Sequence, residues 1–90
     1  MKFEWDPEKA SSNLEKHGVS FAEAATAFGD PLSAVIADPA HSDDESRWIL
    51  LGMTFSGRLA VVAHADRGEN IRLFSARLAT RRERRDYEQA

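Results

Sequence analysis

Between residues 47 and 77 the chain reads RWILLGMTF, SG, RLAVVAHAD, RGEN, IRLFSAR. Three runs rich in β-branched and apolar residues follow one another, parted only by short turn signals. Consecutive strands joined this tightly must pair antiparallel, because a parallel neighbour needs a crossover of a dozen or more residues. Ser56-Gly57 reads as a two-residue hairpin and RGEN as a second turn. The centre of the chain is therefore an antiparallel meander, and a meander has an apolar face that needs cover.

The first thirty residues supply that cover. KFEW (2–5) alternates Phe3 and Trp5 as a short strand. Asp6-Pro7 opens a helix: the carboxylate caps free N–H groups, and proline at the first helical position loses no bond. Ala10, Leu14 and His17 share one face of it, and Gly18 provides the left-handed stop. Ser20 and Glu23 form a capping box, with Val19 placed as a hydrophobic staple. Phe21, Ala24, Ala25 and Phe28 then make a buried stripe that ends at Gly29-Asp30-Pro31. LSAVIA (32–37) reads as a strand and DPAHSDDES (38–46) as a polar loop. The expected architecture is α+β, ordered β-α-α-β-β-β-β-α. It has an antiparallel sheet, two N-terminal helices on one face and a short C-terminal helix.

Ninety residues make one small domain, 1–90, with a thin core. The longest apolar stretches fall far short of the roughly 20 residues a membrane span needs. KFEWDPEK lacks the apolar core of a secretory signal. With no cysteine there is no disulfide, thiol nucleophile or thiolate metal site, and a cytoplasmic setting is expected.

Charge is divided unevenly. From Ile71 onward six arginines stand against three acids, +3, while the preceding residues set six cations against twelve acids, −6. Thr80 and Glu83 form another capping box, so a helix begins at Arg81. Its only sizeable apolar residue is Tyr87. Arg81 and Arg82 lie in the first turn, where the helix dipole disfavours cations, and Arg81, Arg84 and Arg85 crowd one side. Local stability does not explain this arrangement; an anionic partner does. Arginine's planar fork suits phosphate, so nucleic acid is one such partner and an acidic protein another. A solvated face neutralised by pairs such as Arg84 to Glu88 is the plain alternative. Strand alternation places Arg72, Phe74 and Ala76 on one face of the last strand, with Ile71, Leu73, Ser75 and Arg77 on the other. It places Arg58, Ala60, Val62, His64 and Asp66 together on the neighbouring strand. His41, Asp43, Asp44 and Glu45 could hold a hard cation, although adjacent loop acids usually face water. No metal site or cofactor is expected.

FEWDPEKASSNLEKHGVSFAEAATAF, HSDDESR and GRLAVVAHADRGENIRLFSARLATRRERRDYE together resemble the BrnT-type toxins of bacterial type II BrnT–BrnA toxin–antitoxin pairs, over Lys2 to Glu88. Ala65 stands where many relatives have threonine, and their ISAR is FSAR here, with Phe74. The resemblance implies a RelE-like toxin domain and an endoribonuclease that halts translation by cutting RNA. It also implies a BrnA-like antitoxin, through which alone DNA would be met. No membrane is involved. Metal-independent RNA cleavage needs a base for the 2′-OH, cations for the phosphorane and an acid for the leaving 5′-oxygen. By residue type Arg72 and Arg77 suit phosphorane stabilisation, His64 proton transfer and Arg58 a further phosphate contact. Alternation sets Arg72 and Arg77 on opposite faces unless a bulge intervenes. From the family's terminal block, Arg81, Arg84, Arg85 and Tyr87 would bind RNA, and from its KHGVSF block so would Lys16 and His17. Glu83 fits the cap better than a catalytic base. Two rivals remain: a catalytically silent module whose arginine tail docks an acidic protein or the antitoxin, and a metal-dependent hydrolase using the HSDDE loop.

Overall fold

The computed structural model describes residues 2–39 and 47–89. In chain order the elements are β1 (Lys2–Glu4), α1 (Pro7–His17), α2 (Phe21–Thr26) with a 3₁₀ turn at Ala27–Gly29, β2 (Ala34–Ala37), β3 (Arg47–Met53), β4 (Leu59–Arg67), β5 (Asn70–Leu78) and α3 (Arg81–Gln89). The expected order is met. The five strands form one sheet, β1-β5-β4-β3-β2. Strands β2 to β5 pair antiparallel, but β1 lies parallel to β5, so the sheet is mixed. The long crossover through two helices and three strands is what permits that one parallel pair.

The helix starts form as their sequences dictate. Asp6 Oδ1 accepts from the Glu8 N–H at 2.9 Å, and Ser20 Oγ accepts from the Glu23 N–H at 3.0 Å. At α3 both halves of the capping box close: Thr80 N–H donates to Glu83 Oε1 at 2.8 Å and Glu83 N–H to Thr80 Oγ1 at 3.2 Å. Gly18 ends α1 with φ +71°, a conformation that glycine reaches without steric cost.

Two local expectations are corrected. The Ser56-Gly57 turn is a longer loop, Thr54 to Arg58, closed by Thr54 N–H to Arg58 O at 2.8 Å and Gly57 N–H to Thr54 O at 2.9 Å. The side chain of Thr54 takes part in the polar network around Glu23, so Thr54 leaves the ladder early. Of the expected inner face of α1, Ala10, Leu14 and His17, only Ala10 packs against the core. Leu14 is 51% exposed and His17 is exposed, whereas Asn13 is buried at 7%. Beyond Glu4, β1 no longer covers β5, and α1 takes over that bare strand edge. An edge offers N–H and C=O groups, so the helix meets it with an amide. Asn13 donates to Ala76 O at 2.8 Å and to Val19 O at 3.0 Å, and accepts from Ala76 N–H at 3.0 Å. Hydrogen bonding rather than apolar area sets this contact.

The core lies between α2 and one face of the sheet. Val19, Phe21, Ala24, Ala60, Val62, Ile71, Leu73 and Ala76 are buried there. Each large side chain so buried contributes about 1.5–3 kcal/mol. Aromatic edges seal its end: Phe3 meets Phe28 at 5.1 Å, Trp5 meets Phe21 at 5.8 Å, and Phe28 meets His64 at 4.8 Å between ring centroids.

Candidate nucleic-acid interface

Directly opposed residues of an antiparallel pair point to the same side of the sheet. Ala65 opposes Arg72, Ala63 opposes Ser75 and Val61 opposes Arg77. All three therefore share the face turned away from the core. The register shifts between Ala63 and His64, whose partners are Ser75 and Leu73, so Phe74 has no partner. This β-bulge supplies the extra residue that unites Arg72 and Arg77, against simple alternation. It also returns Ala76 to the core side beside Leu73. Arg72 and Arg77 stand about 13 Å apart along the strand.

Each of these arginines has a carboxylate neighbour. Arg72 Nη1 donates to Glu4 Oε2 at 3.1 Å. Hydrogen bonds from Asn70 and then Arg72 hold the Glu4 carboxyl below its ordinary value. Arg77 grips Glu83 in a two-pronged pair, Nη1 to Oε1 at 2.8 Å and Nη2 to Oε2 at 2.9 Å. This contact, with help from the Thr80 N–H, pulls the Glu83 carboxyl down to about 2. Glu83 thus serves α3 twice, as cap and as anchor.

The other two candidate catalytic residues lie elsewhere. His64 opposes Leu73 and is buried at 5% on the core side, edge-on to Phe28. Its Nδ1 lies 3.1 Å from Val62 O, and burial pushes its pKa below the ordinary histidine value. It does not share a face with Arg72 and Arg77, because its strand neighbours on that side are core residues. Arg58 is enclosed by Glu23: Nε to Oε2 at 3.0 Å, Nη2 to Oε1 at 2.6 Å, with Nη2 also reaching Gly18 O at 3.0 Å. Ser56 and Thr54 add hydroxyl donors to Glu23 Oε2 at 2.5 and 2.8 Å. Arg58 first, then Ser56, hold the Glu23 carboxyl at about 2. This knot ties α2 to the β3–β4 loop, a structural use for Arg58.

Helix α3 buries no residue completely. Glu83 and Tyr87, one turn apart, face the sheet; Tyr87 Oη donates to Asp30 Oδ2 at 2.6 Å. Asp30 also accepts from Leu32 N–H at 2.9 Å and Met53 N–H at 2.8 Å, and its carboxyl is lowered, chiefly by Tyr87. Tyr87 is consequently held by its hydroxyl, and its ring borders an apolar groove of about 370 Å³ with Ile36, Ile49 and Val61. Arg81, Arg82, Arg84 and Arg85 are exposed. Arg84 makes no ion pair with Glu88, and none of the four pairs with any described residue.

Lys16 and His17 stand apart from these arginines, exposed at the end of α1. They line a groove of about 480 Å³ between α1 and β5, with Lys9, Phe74 and Ser75. Sequence reasoning assigns no role to Lys9 or Ser75, since nothing local in their surroundings shows that a helix will lie along β5. The acidic HSDDE cluster lies outside the described residues. Among the described residues no group of three or more histidines and carboxylates is placed to hold a metal ion, and no helix is long and apolar enough to cross a membrane.

Residues 5–83 match the family described as ribonuclease toxin, BrnT, of type II toxin–antitoxin system. The fold is similar to the crystal structure of the Brucella abortus ribonuclease toxin BrnT, with a TM-score of 0.70 and 25% sequence identity, covering 90% of this chain and 99% of that one. No curated protein matches the chain in sequence.

Proposed function

Since the chain belongs to the BrnT family of ribonuclease toxins of type II toxin–antitoxin systems, we propose that it cuts cellular RNA without a metal ion, halts translation in the cytoplasm and is silenced by a cognate BrnA-like antitoxin. The observation that carries this reading is the face shared by Arg72, Ser75 and Arg77, with the four exposed arginines of α3 beside it. In the reaction the 2′-OH gives its proton to a base, its oxygen attacks the adjacent phosphorus, a P–O2′ bond forms, the P–O5′ bond breaks, and the 5′-oxygen takes up a proton. The phosphorane concentrates negative charge, and fixed guanidinium donors stabilise it more than they stabilise the ground state. Arg72 commits only Nη1 to Glu4 and keeps its other donors for phosphate. Arg81, Arg84 and Arg85 guide the strand by charge. Tyr87 keeps α3 in place and offers its ring, not its hydroxyl, to RNA. His64 lies behind the sheet and His17 stands apart from the arginine face, so proton transfer falls to solvent.

A second reading has its own observation. Arg72 and Arg77 both carry internal carboxylate partners, which offset their charge. In that case the free arginines of α3 dock an acidic partner and no RNA is cut.

Purified protein and induced cells distinguish these readings. The expected result is growth arrest and RNA fragments ending in 2′,3′-cyclic phosphate, unchanged by chelator. Folded Arg72→Ala and Arg77→Ala variants lose roughly 100-fold or more in rate, whereas folded His64→Gln retains cleavage. Intact RNA with well-folded wild type supports the silent module, and loss of cutting on chelation supports the metal-dependent hydrolase.

A further inference from the structure

The bulge that unites the arginines also releases Phe74 from the ladder. Its ring is half-buried and takes no place in the core cluster. The Arg47 guanidinium packs 4.0 Å from the ring centroid, while Lys9 Nζ lies 5.7 Å from it. Lys9 and Phe74 both line the α1–β5 groove and Arg47 does not. The ring therefore has a guanidinium packed close against it and borders the groove, with a flexible ammonium farther off. Asn13, buried and bonded to Ala76 on both its N–H and C=O, fixes α1 against β5 two residues beyond Phe74. The width of the groove is thus set by hydrogen bonds rather than by loop packing.

We propose that this groove is a nucleotide subsite, in which one unstacked RNA base lies against Phe74 and its phosphate meets Lys16 and His17. The proposal rests on the ribonuclease reading and states how that site selects its substrate. Three features favour a nucleotide. An aromatic face bordered by cations suits a base joined to a phosphate, because every base offers a π-face to stack. The groove is also polarised: Asp6 and Glu8 lie at one end of α1, Lys16 and His17 at the other, so a base edge that donates and a phosphate that accepts find matching ends. Asp6 Oδ1 is already engaged by the Glu8 N–H, which leaves Glu8 as the freer acceptor. Finally, Ser75 belongs both to the groove and to the arginine face, so a strand can pass from one to the other around the edge of β5. An acidic peptide would use the lysines but would leave the ring unused. A duplex keeps its bases stacked, so the RNA that fits is single-stranded.

The test uses full-length protein and fluorescent 2′-O-methyl octanucleotides, which bind without being cut, beside cleavage of the matching RNA. Phe74→Leu should weaken octanucleotide binding about tenfold, with Phe74→Trp within about twofold of wild type and both folded by circular dichroism. Lys16→Ala should flatten the salt dependence by up to about 0.7 in log–log slope, whereas Phe74→Leu should leave that slope unchanged. Equal binding by folded Phe74→Leu, equal loss in Phe74→Trp, or displacement of the octanucleotide by an octaglutamate peptide at equal concentration would each overturn the subsite. Wild type that cuts RNA while Phe74→Leu binds normally removes the subsite and leaves the ribonuclease. Phe74-dependent binding without cutting supports the subsite and removes the ribonuclease.

Discussion

A single amide, Asn13, determines how α1 meets the sheet. Its side chain satisfies Ala76 N–H, Ala76 O and Val19 O in a buried place. Truncation leaves these groups without partners, and each orphaned buried group costs about 1–3 kcal/mol. Asn13→Ala should therefore destabilise the protein by about 3 kcal/mol or more, read as a lower urea midpoint at unchanged slope. Asn13→Asp should be nearly as harmful, because a carboxylate cannot donate to the two carbonyls. The sequence gives no sign of this. Asparagine in mid-helix is an ordinary polar residue, and apolar Leu14 suggests a face that the fold leaves exposed. Phe74 misleads for a related reason: alternation assigns every strand residue a side, and a bulge changes the sides of all that follow.

Among the elements, α3 depends most on a few contacts. It has no core of its own and is held by Glu83 on Arg77, by Tyr87 on Asp30 and by its Thr80 cap. A nine-residue helix with so little burial is marginal in isolation. Tyr87→Phe removes one contact and should lower amide protection across residues 84–89 by about three- to tenfold. Global stability should fall by less than about 1 kcal/mol, seen when hydrogen exchange and urea unfolding are compared. The capping box and the start at Arg81 are legible in Thr80 and Glu83. The docking partners are not, since Asp30 and Tyr87 lie far apart in the chain and reveal nothing about each other.

For the molecule as a whole, acidity is the simplest perturbation. Glu23 and Glu83 fall from 4.5 to about 2 in the folded protein, and Glu4 and Asp30 are also lowered. A depressed carboxyl contributes stability that is complete above the unfolded value and is lost as pH falls through the folded one. Glu23 and Glu83 therefore weaken the fold from about pH 4.5 down to about 2, and Glu4 and Asp30 act in the same direction. His64 acts earlier. Its pKa is lowered from 6.5, so the unfolded chain binds that proton first and stability begins to decline below pH 6.5. Glu23→Gln should be less stable than wild type at pH 7 and should converge with it near pH 2, as urea midpoints across that range will show.

What the sequence determined by itself is whatever depends on neighbours along the chain: the helix caps, the left-handed Gly18, the strands of the meander, and the arginine concentration that points to an anionic partner. The order of elements follows from these, and so does the resemblance to the toxin family. The tertiary structure alone decided which arginines share a face. A register shift at Phe74 turns Arg77 to the side of Arg72, Glu23 takes Arg58, and burial against Phe28 takes His64. Each of these depends on a pairing between residues remote in sequence, where one extra residue in one strand reverses a side chain's direction at little cost to the hydrophobic pattern.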